Sequence, residues 1–300
     1  MPDGGVVGLD WTEPENSPYP ENKRPTVIIL PGLTGSSDES YCRHYALQAK
    51  KMGARAVVFN NRGNGGTPLL TERTYNATNT EDLAFVIAHV KQKYPDCPLT
   101  AVGISLGALI LTIYLTKSGR ESDLVGAMAV SSPYDVFESA KSLEAPIDHL
   151  LFNKMLTENL IEGVTRNIHV FKKDQINLGN IKKSRSIREF DDSFTARQFG
   201  YPTYKEYYED ACTYEKLGSI RIPFLSLNAS DDPFSPAHAI PVERVKHSSH
   251  SCIVVTSHGG HIGFLEGLYP RNESFMDRVF YQFMNMVFNN YEELQKILSS

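Results

Sequence analysis

A serine hydroxyl becomes a nucleophile only when a base takes its proton, and that base needs a carboxylate to orient it. Gly103-Ile104-Ser105-Leu106-Gly107 offers a serine in a Gly-x-Ser-x-Gly pattern, placed between an apolar run ending at Ile104 and an apolar segment that starts with small residues. In a nucleophile elbow the serine sits on a tight, strained strand-to-helix turn. The flanking glycines let two backbones approach, and the helix N-terminus lies under the nucleophile. Two later loops carry partners in the order acid, then histidine. The first, Ala229-Ser230-Asp231-Asp232-Pro233-Phe234-Ser235-Pro236, holds two acids. Asp232, four residues before Pro236, is the expected orienting acid, with Asp231 as its competitor and an exposed turn residue. The second, His258-Gly259-Gly260-His261-Ile262-Gly263-Phe264, holds two histidines. His261 is the expected base, because two glycines give its loop freedom to aim it, while His258 sits at the strand end.

Acyl transfer also needs two backbone donors for the tetrahedral oxyanion, each typically worth about 2.7–4 kcal/mol of transition-state stabilisation. The amide of Leu106, directly after the nucleophile, is one candidate. The other is Leu33 N–H, in the loop Pro31-Gly32-Leu33-Thr34-Gly35 after the first buried strand. Apolar side chains at both positions are no objection, since the backbone does the work. Other chemistries find no support. No serine is followed three residues later by lysine, and there is no His-Glu-x-x-His. His247/His250 and His258/His261 have ligand-like spacing without an evident acidic or cysteine partner, so neither a metal nor another cofactor is expected. Asn61 to Gly66 follows a strand but matches neither the dinucleotide nor the P-loop pattern.

The positioning elements read as strands alternating with helices. Thr26–Leu30, Arg55–Asn60, the run from Leu99 and Leu124–Val130 are buried strands. Helices are expected over Ser40–Lys51, stopping at Gly53, from a Thr78-x-x-Glu81 capping box to Tyr94, and from Leu106. Such alternation means a parallel sheet with helices on both faces. It lapses over 133–217, where charged and aromatic residues crowd, and resumes with strands Pro223–Asn228 and Cys252–Ser257 and a terminal helix over Ser274–Leu298. The expectation is a mostly parallel α/β sheet core in two parts, 1–132 and 218–300, with 133–217 inserted as a helical cap. Most of the inserted aromatics are expected to pack that segment onto the sheet.

Composition bounds the rest. The chain has 300 residues, 41% hydrophobic and 22% charged, with a net charge of −5. That gives ample core and no electrostatic footprint for nucleic acid. Cys42, Cys97, Cys212 and Cys252 are scattered, as reduced thiols buried among apolar residues would be. The Asn-x-Ser/Thr matches at Asn76, Asn228 and Asn272 read as chance. No signal peptide or spanning run is visible. Pro2-Asp3-Gly4-Gly5 is hairpin-turn chemistry with no earlier strand, so a longer natural form with residues upstream is expected.

The same residues resemble a known family. Leu30-Pro31-Gly32-Leu33-Thr34-Gly35-Ser36, Val57-Val58-Phe59-Asn60-Asn61-Arg62-Gly63, Asn79-Thr80-Glu81-Asp82-Leu83 and the Ser105 pentapeptide look like the α/β-hydrolase domain-containing proteins of types 1 and 3. So do Ser186-Ile187-Arg188-Glu189-Phe190-Asp191, Asp231-Asp232-Pro233-Phe234-Ser235-Pro236 and Gly259-Gly260-His261-Ile262-Gly263-Phe264-Leu265-Glu266-Gly267. The resemblance implies an α/β-hydrolase fold and a serine hydrolase of lipid esters. Ser105, an aspartate of the 231/232 pair and His261 would form the triad. Its type 3 members are phospholipases, and the wider family includes carboxylesterases and monoacylglycerol lipases. It further implies a membrane surface as partner and a membrane-associated, cytosol-facing location, although the N-terminal anchor usual in animal members is absent from this sequence. A thioesterase or small-molecule esterase with the same triad, or a non-catalytic binding module, would share much of this pattern.

Overall fold

The computed structural model describes residues 1–172, 176–268 and 273–299; the acceptor match at Asn272 lies outside them. Among these residues seven strands form one sheet in the order β1-β3-β2-β4-β5-β6-β7. They are β1 (Gly8–Thr12), β2 (Thr26–Leu30), β3 (Arg55–Asn60), β4 (Leu99–Ile104), β5 (Gly126–Val130), β6 (Phe224–Ala229) and β7 (Ser251–Thr256). Only β1 runs antiparallel, pairing Gly8 with Asn60 through Thr12 with Ala56.

The inner strands are buried on both faces, which is why they read as unbroken apolar runs. Val27 and Ile29 of β2 face a core shared with α1 (Ser40–Lys51) and the helix Phe275–Asn289. Ile28 and Leu30 face the opposite core, against α2 (Glu81–Lys93) and α3 (Leu106–Ser118). The alternation follows the two-residue period of a strand. Helix α3 is buried from Gly107 through Leu115, as befits a helix that is apolar all round.

Among the described residues every regular element between β5 and β6 is helical, beginning with α4 (Val136–Leu143) and including Lys154–Arg166 and Tyr204–Ala211. Thr213 N–H donates to Tyr134 O at 2.9 Å, so this segment leaves and rejoins the sheet at adjacent points. Tyr207, Tyr208 and Ala211 pack on Leu109 and Ile113 of α3. Phe171, Phe190 and Phe194 form a separate cluster with Val164 and Ile181. Asp191 opens a single π turn, Asp191–Thr195, and accepts the Tyr208 hydroxyl at 3.0 Å. Among the described residues no helix is long and apolar enough to cross a membrane.

Several local expectations need correction. The Thr78–Glu81 capping box does not form: α2 is N-capped by Thr80 with no side-chain bond. Thr78 Oγ1 instead accepts from Tyr201 and donates to Asn76, while Glu81 pairs with Arg73. Partners outside the helix recruit both side chains. The terminal helix is two, Phe275–Asn289 and Tyr291–Ser299, divided at Asn290, whose amide donates to Met286 O at 2.8 Å. Cys252 is exposed on the edge strand β7, unlike the three buried thiols. The loop Asn61–Gly66 is fixed by Arg62, which grips Asp82 at 2.6 and 2.7 Å and Asp3 at 2.6 and 3.1 Å.

Two stability predictions follow from the packing. A Cβ at Gly107 would lie 2.2 Å from Leu30 O, a clash with backbone, whereas one at Gly163, inside the helix Lys154–Arg166, meets nothing within 4 Å. Gly107→Ala is therefore expected to destabilise by about 3 kcal/mol, the upper end for overpacking. Gly163→Ala should gain roughly 0.5–1 kcal/mol. Urea unfolding midpoints measure both. The second concerns Asp191. Desolvation among apolar walls pushes its carboxyl up to about 7, against the lowering effect of the Thr195 and Tyr208 hydrogen bonds. The folded chain then holds a proton that the unfolded chain releases near pH 4, so this group's contribution to stability falls as pH rises from 4 to 7. Melting temperatures across that range should drop less steeply in Asp191→Asn than in wild type, and an identical slope would contradict the assignment.

Candidate active site

Four loops meet at the carboxyl edge of the sheet, after β2, β4, β6 and β7, where open α/β sheets place their sites. Ser105 occupies the turn from β4 to α3 with φ +54° and ψ −116°. This is costly backbone for a non-glycine residue, of order 1–3 kcal/mol. Its N–H donates to Val130 O at 2.9 Å and its carbonyl accepts Leu109 N–H at 3.1 Å, holding the turn on both sides. The glycines flanking it are required sterically. A Cβ at Gly103 would stand 2.3 Å from Gly107 O, and the Gly107 position faces Leu30 O.

His261 Nε2 lies 2.9 Å from Ser105 Oγ. On its other side Nδ1 lies 3.1 and 3.0 Å from the two oxygens of Asp232. The Asp232 carboxylate is fully buried and also accepts Phe234 N–H at 2.8 Å. Nδ1–H facing Asp232 leaves Nε2 as the acceptor for the serine proton. The competing residues lie elsewhere. Asp231 Oδ1 accepts Gly260 N–H at 2.8 Å and thereby braces the histidine loop, and exposed His258 bonds its neighbour Ser257.

Three further supports were not evident in the sequence. The Phe234 ring stacks on the His261 imidazole with centroids 3.9 Å apart and planes 15° apart, and Phe152 abuts Phe234 edge-on at 5.5 Å. Rotation of the histidine ring is thus confined on that face. Ser131, at φ +52°, accepts Ile262 N–H at 3.2 Å and ties the histidine loop to the end of β5. Behind the acid, Asn228 donates to Ser132 O and Ser235 Oγ, at 3.2 and 3.1 Å. None of these residues bears a sequence signal beyond its position in a strand end or a loop.

Leu106 is the first residue of α3, so its N–H has no intrahelical acceptor. Leu33 lies in the loop after β2, whose Gly32 comes within van der Waals reach of Ser105: a Cβ there would stand 3.4 Å from Ser105 Cβ. Among the described residues no acceptor is found for Leu33 N–H, although the amides on both sides are bonded. Leu33, Leu106, Ser105 and His261 all line one cavity of about 710 Å³. It runs under the helical connection, where Leu156, Leu160, Phe171, Phe190 and Phe194 form apolar wall and Asp191 a polar interruption.

This geometry can be set beside known proteins. A family described as alpha/beta hydrolase fold matches residues 25–268. The chain is 46% identical over 297 residues to phospholipase ABHD3 of Mus musculus, spanning 98% of this chain and 72% of that one. It is 47% identical over 294 residues to phospholipase ABHD3 of Homo sapiens, spanning 97% and 72%. Monoacylglycerol lipase of Saccharomyces cerevisiae is 32% identical over 82% of this chain and 56% of its own. Among solved structures, Est1E from Butyrivibrio proteoclasticus with ferulic acid bound has the same fold. Its TM-score is 0.61 and its identity 17%, over 96% of this chain and 97% of that one. The family match and these relatives agree with the architecture described above: the chain belongs to the α/β-hydrolase family, among the α/β-hydrolase domain-containing proteins.

Proposed function

We propose that this protein hydrolyses carboxylic esters of lipids by acyl transfer to Ser105. The observation that carries the reading is the His261 imidazole, within hydrogen-bond reach of Ser105 Oγ on one side and the buried Asp232 carboxylate on the other. In this scheme His261 takes the Ser105 proton as Oγ attacks the ester carbonyl. Asp232 holds the ring orientation and stabilises the imidazolium, and the oxyanion falls to Leu33 and Leu106 N–H. His261 then gives its proton to the leaving alkoxide, and water attacks the acyl-enzyme by the same route. No metal or other cofactor enters the scheme.

A lipid substrate is supported by the relatives named phospholipase and monoacylglycerol lipase. The apolar walls of the cavity fit an acyl chain, and residues 133–217 would serve as the cap that encloses it. Ile147, Leu150, Leu151 and Met155 are more than half exposed and recur at helical spacing next to the cavity, which favours substrate taken from a lipid surface.

A fluorophosphonate probe with a hydrolysis panel of phosphatidylcholines, monoacylglycerols and p-nitrophenyl esters of graded length tests the reading. Wild type should be labelled and Ser105→Ala should not; equal labelling of the two would remove the serine from the mechanism. Asp232→Asn is expected to lower kcat by about 10⁴ through loss of the correct histidine tautomer. Asp231→Asn should retain most of the rate, because that carboxylate serves a loop amide. Rates insensitive to acyl length would contradict the acyl-chain cavity.

A further inference from the structure

An oxyanion site made of backbone amides is only as good as the rigidity of the loop carrying them. Leu106 gains that rigidity from α3. Leu33 sits in a loop of small residues, Pro31-Gly32-Leu33-Thr34-Gly35, with no helix or strand to hold it. Yet the amides before and after Leu33 are each bonded to a phenol from elsewhere. Gly32 N–H donates to Tyr41 Oη of α1 at 3.0 Å, and Thr34 N–H donates to Tyr75 Oη at 3.1 Å. We infer that Tyr41 and Tyr75 are positioning residues that clamp this loop on both sides and leave Leu33 N–H, which has no acceptor among the described residues, to face the substrate's carbonyl oxygen above Ser105. The proposal rests on Ser105 being the acyl-transfer nucleophile.

Three observations bear on it. Thr34 has φ +60°, a conformation that a β-branched residue rarely adopts and that persists only when its surroundings impose it. The Tyr75 bond falls on that residue. Second, the loop is shaped around the other phenol: a Cβ at Gly35 would stand 2.7 Å from Tyr41 Oη. Third, the Tyr75 hydroxyl is itself fixed, since it also accepts Asn64 Nδ2 at 3.1 Å. Asn64 belongs to the loop that Arg62 anchors to Asp82 of α2. Two sets of hydrogen bonds, joined through the backbone of residues 62–64, therefore link α2 to the amide next to Leu33. Burial pushes both phenols up from their ordinary pKa, so each remains a neutral acceptor through the working pH range.

Tyr41→Phe and Tyr75→Phe keep the ring and remove the acceptor. The control is Tyr114→Phe, which removes a buried phenol bond to Ser122 O at the far end of α3. Steady-state kinetics on the best ester would be paired with binding of two inhibitors sharing its acyl chain. One is a trifluoromethyl ketone, which forms a tetrahedral adduct with serine; the other is an ether with no carbonyl. Each clamp variant is expected to lose about 10- to 100-fold in kcat, less than removal of a donor outright. KM should stay within about twofold, the signature of an interaction made in the transition state. Ketone affinity should fall by the same factor as kcat, ether affinity should not change, and the control should lose melting temperature alone. Clamp variants with wild-type kcat and ketone affinity, or with ketone and ether weakened equally, would overturn the clamp while leaving the nucleophile in place. A wild type that shows neither labelling nor hydrolysis would overturn the underlying reading and the clamp with it.

Discussion

Two backbones touch where other proteins would keep a side chain between them. The first turn of α3 is pressed against the end of β2, so that Gly107 faces Leu30 O and Gly103 faces Gly107. Everything at the site depends on this approach. It turns Ser105 out of the sheet into positive φ, and it brings the segment after Leu30, which carries Leu33, beside the serine. The hydrogen bonds at Val130 O and Leu109 N, with an α3 buried from Gly107 to Leu115, absorb the strain that the turn imposes. Packing across both faces of the sheet thus fixes a few atoms at its edge.

Much of this was legible because fully buried parallel strands leave a blunt signature. β2 and β3 match their apolar runs to the residue, and β4 begins and ends as its run does. The glycine spacing around Ser105 is a steric requirement, so it can be read without knowing what lies opposite. Asp232 and His261 could be chosen over Asp231 and His258 from local reasons, Pro236 downstream and the glycine pair upstream. In the structure His261 stands between Ser105 and Asp232, while Asp231 accepts a backbone amide and His258 is exposed beside Ser257.

What escaped the sequence is whatever a distant side chain decides. Thr78 and Glu81 have the spacing of a capping box, but Tyr201, from across the fold, and Arg73, from the loop before α2, take them, and the local bond is not made. The stacking of Phe234 on His261 joins residues 27 apart whose types say nothing of each other. Tyr41 and Tyr75 look in the sequence like ordinary aromatics of a helix and a loop, because a phenol serving as an acceptor for a loop amide has no spacing rule. The break at Asn290 is likewise invisible in a helix-period pattern that continues on both sides of it.

The strand order has a consequence for how the chain comes to life. From β4 outward the sheet adds β5, β6 and β7 in the order of synthesis, and the hydrogen bond between Ser105 and His261 closes a loop of 156 residues. A growing chain carries Ser105 before His261 has been made. The hydroxyl then has its ordinary, feeble reactivity. His261 comes from the loop after β7, the strand at the open edge, and meets Asp232 and Phe234 from the loop after β6. The reach from Ser105 to His261 is therefore completed only when the far edge of the sheet is built.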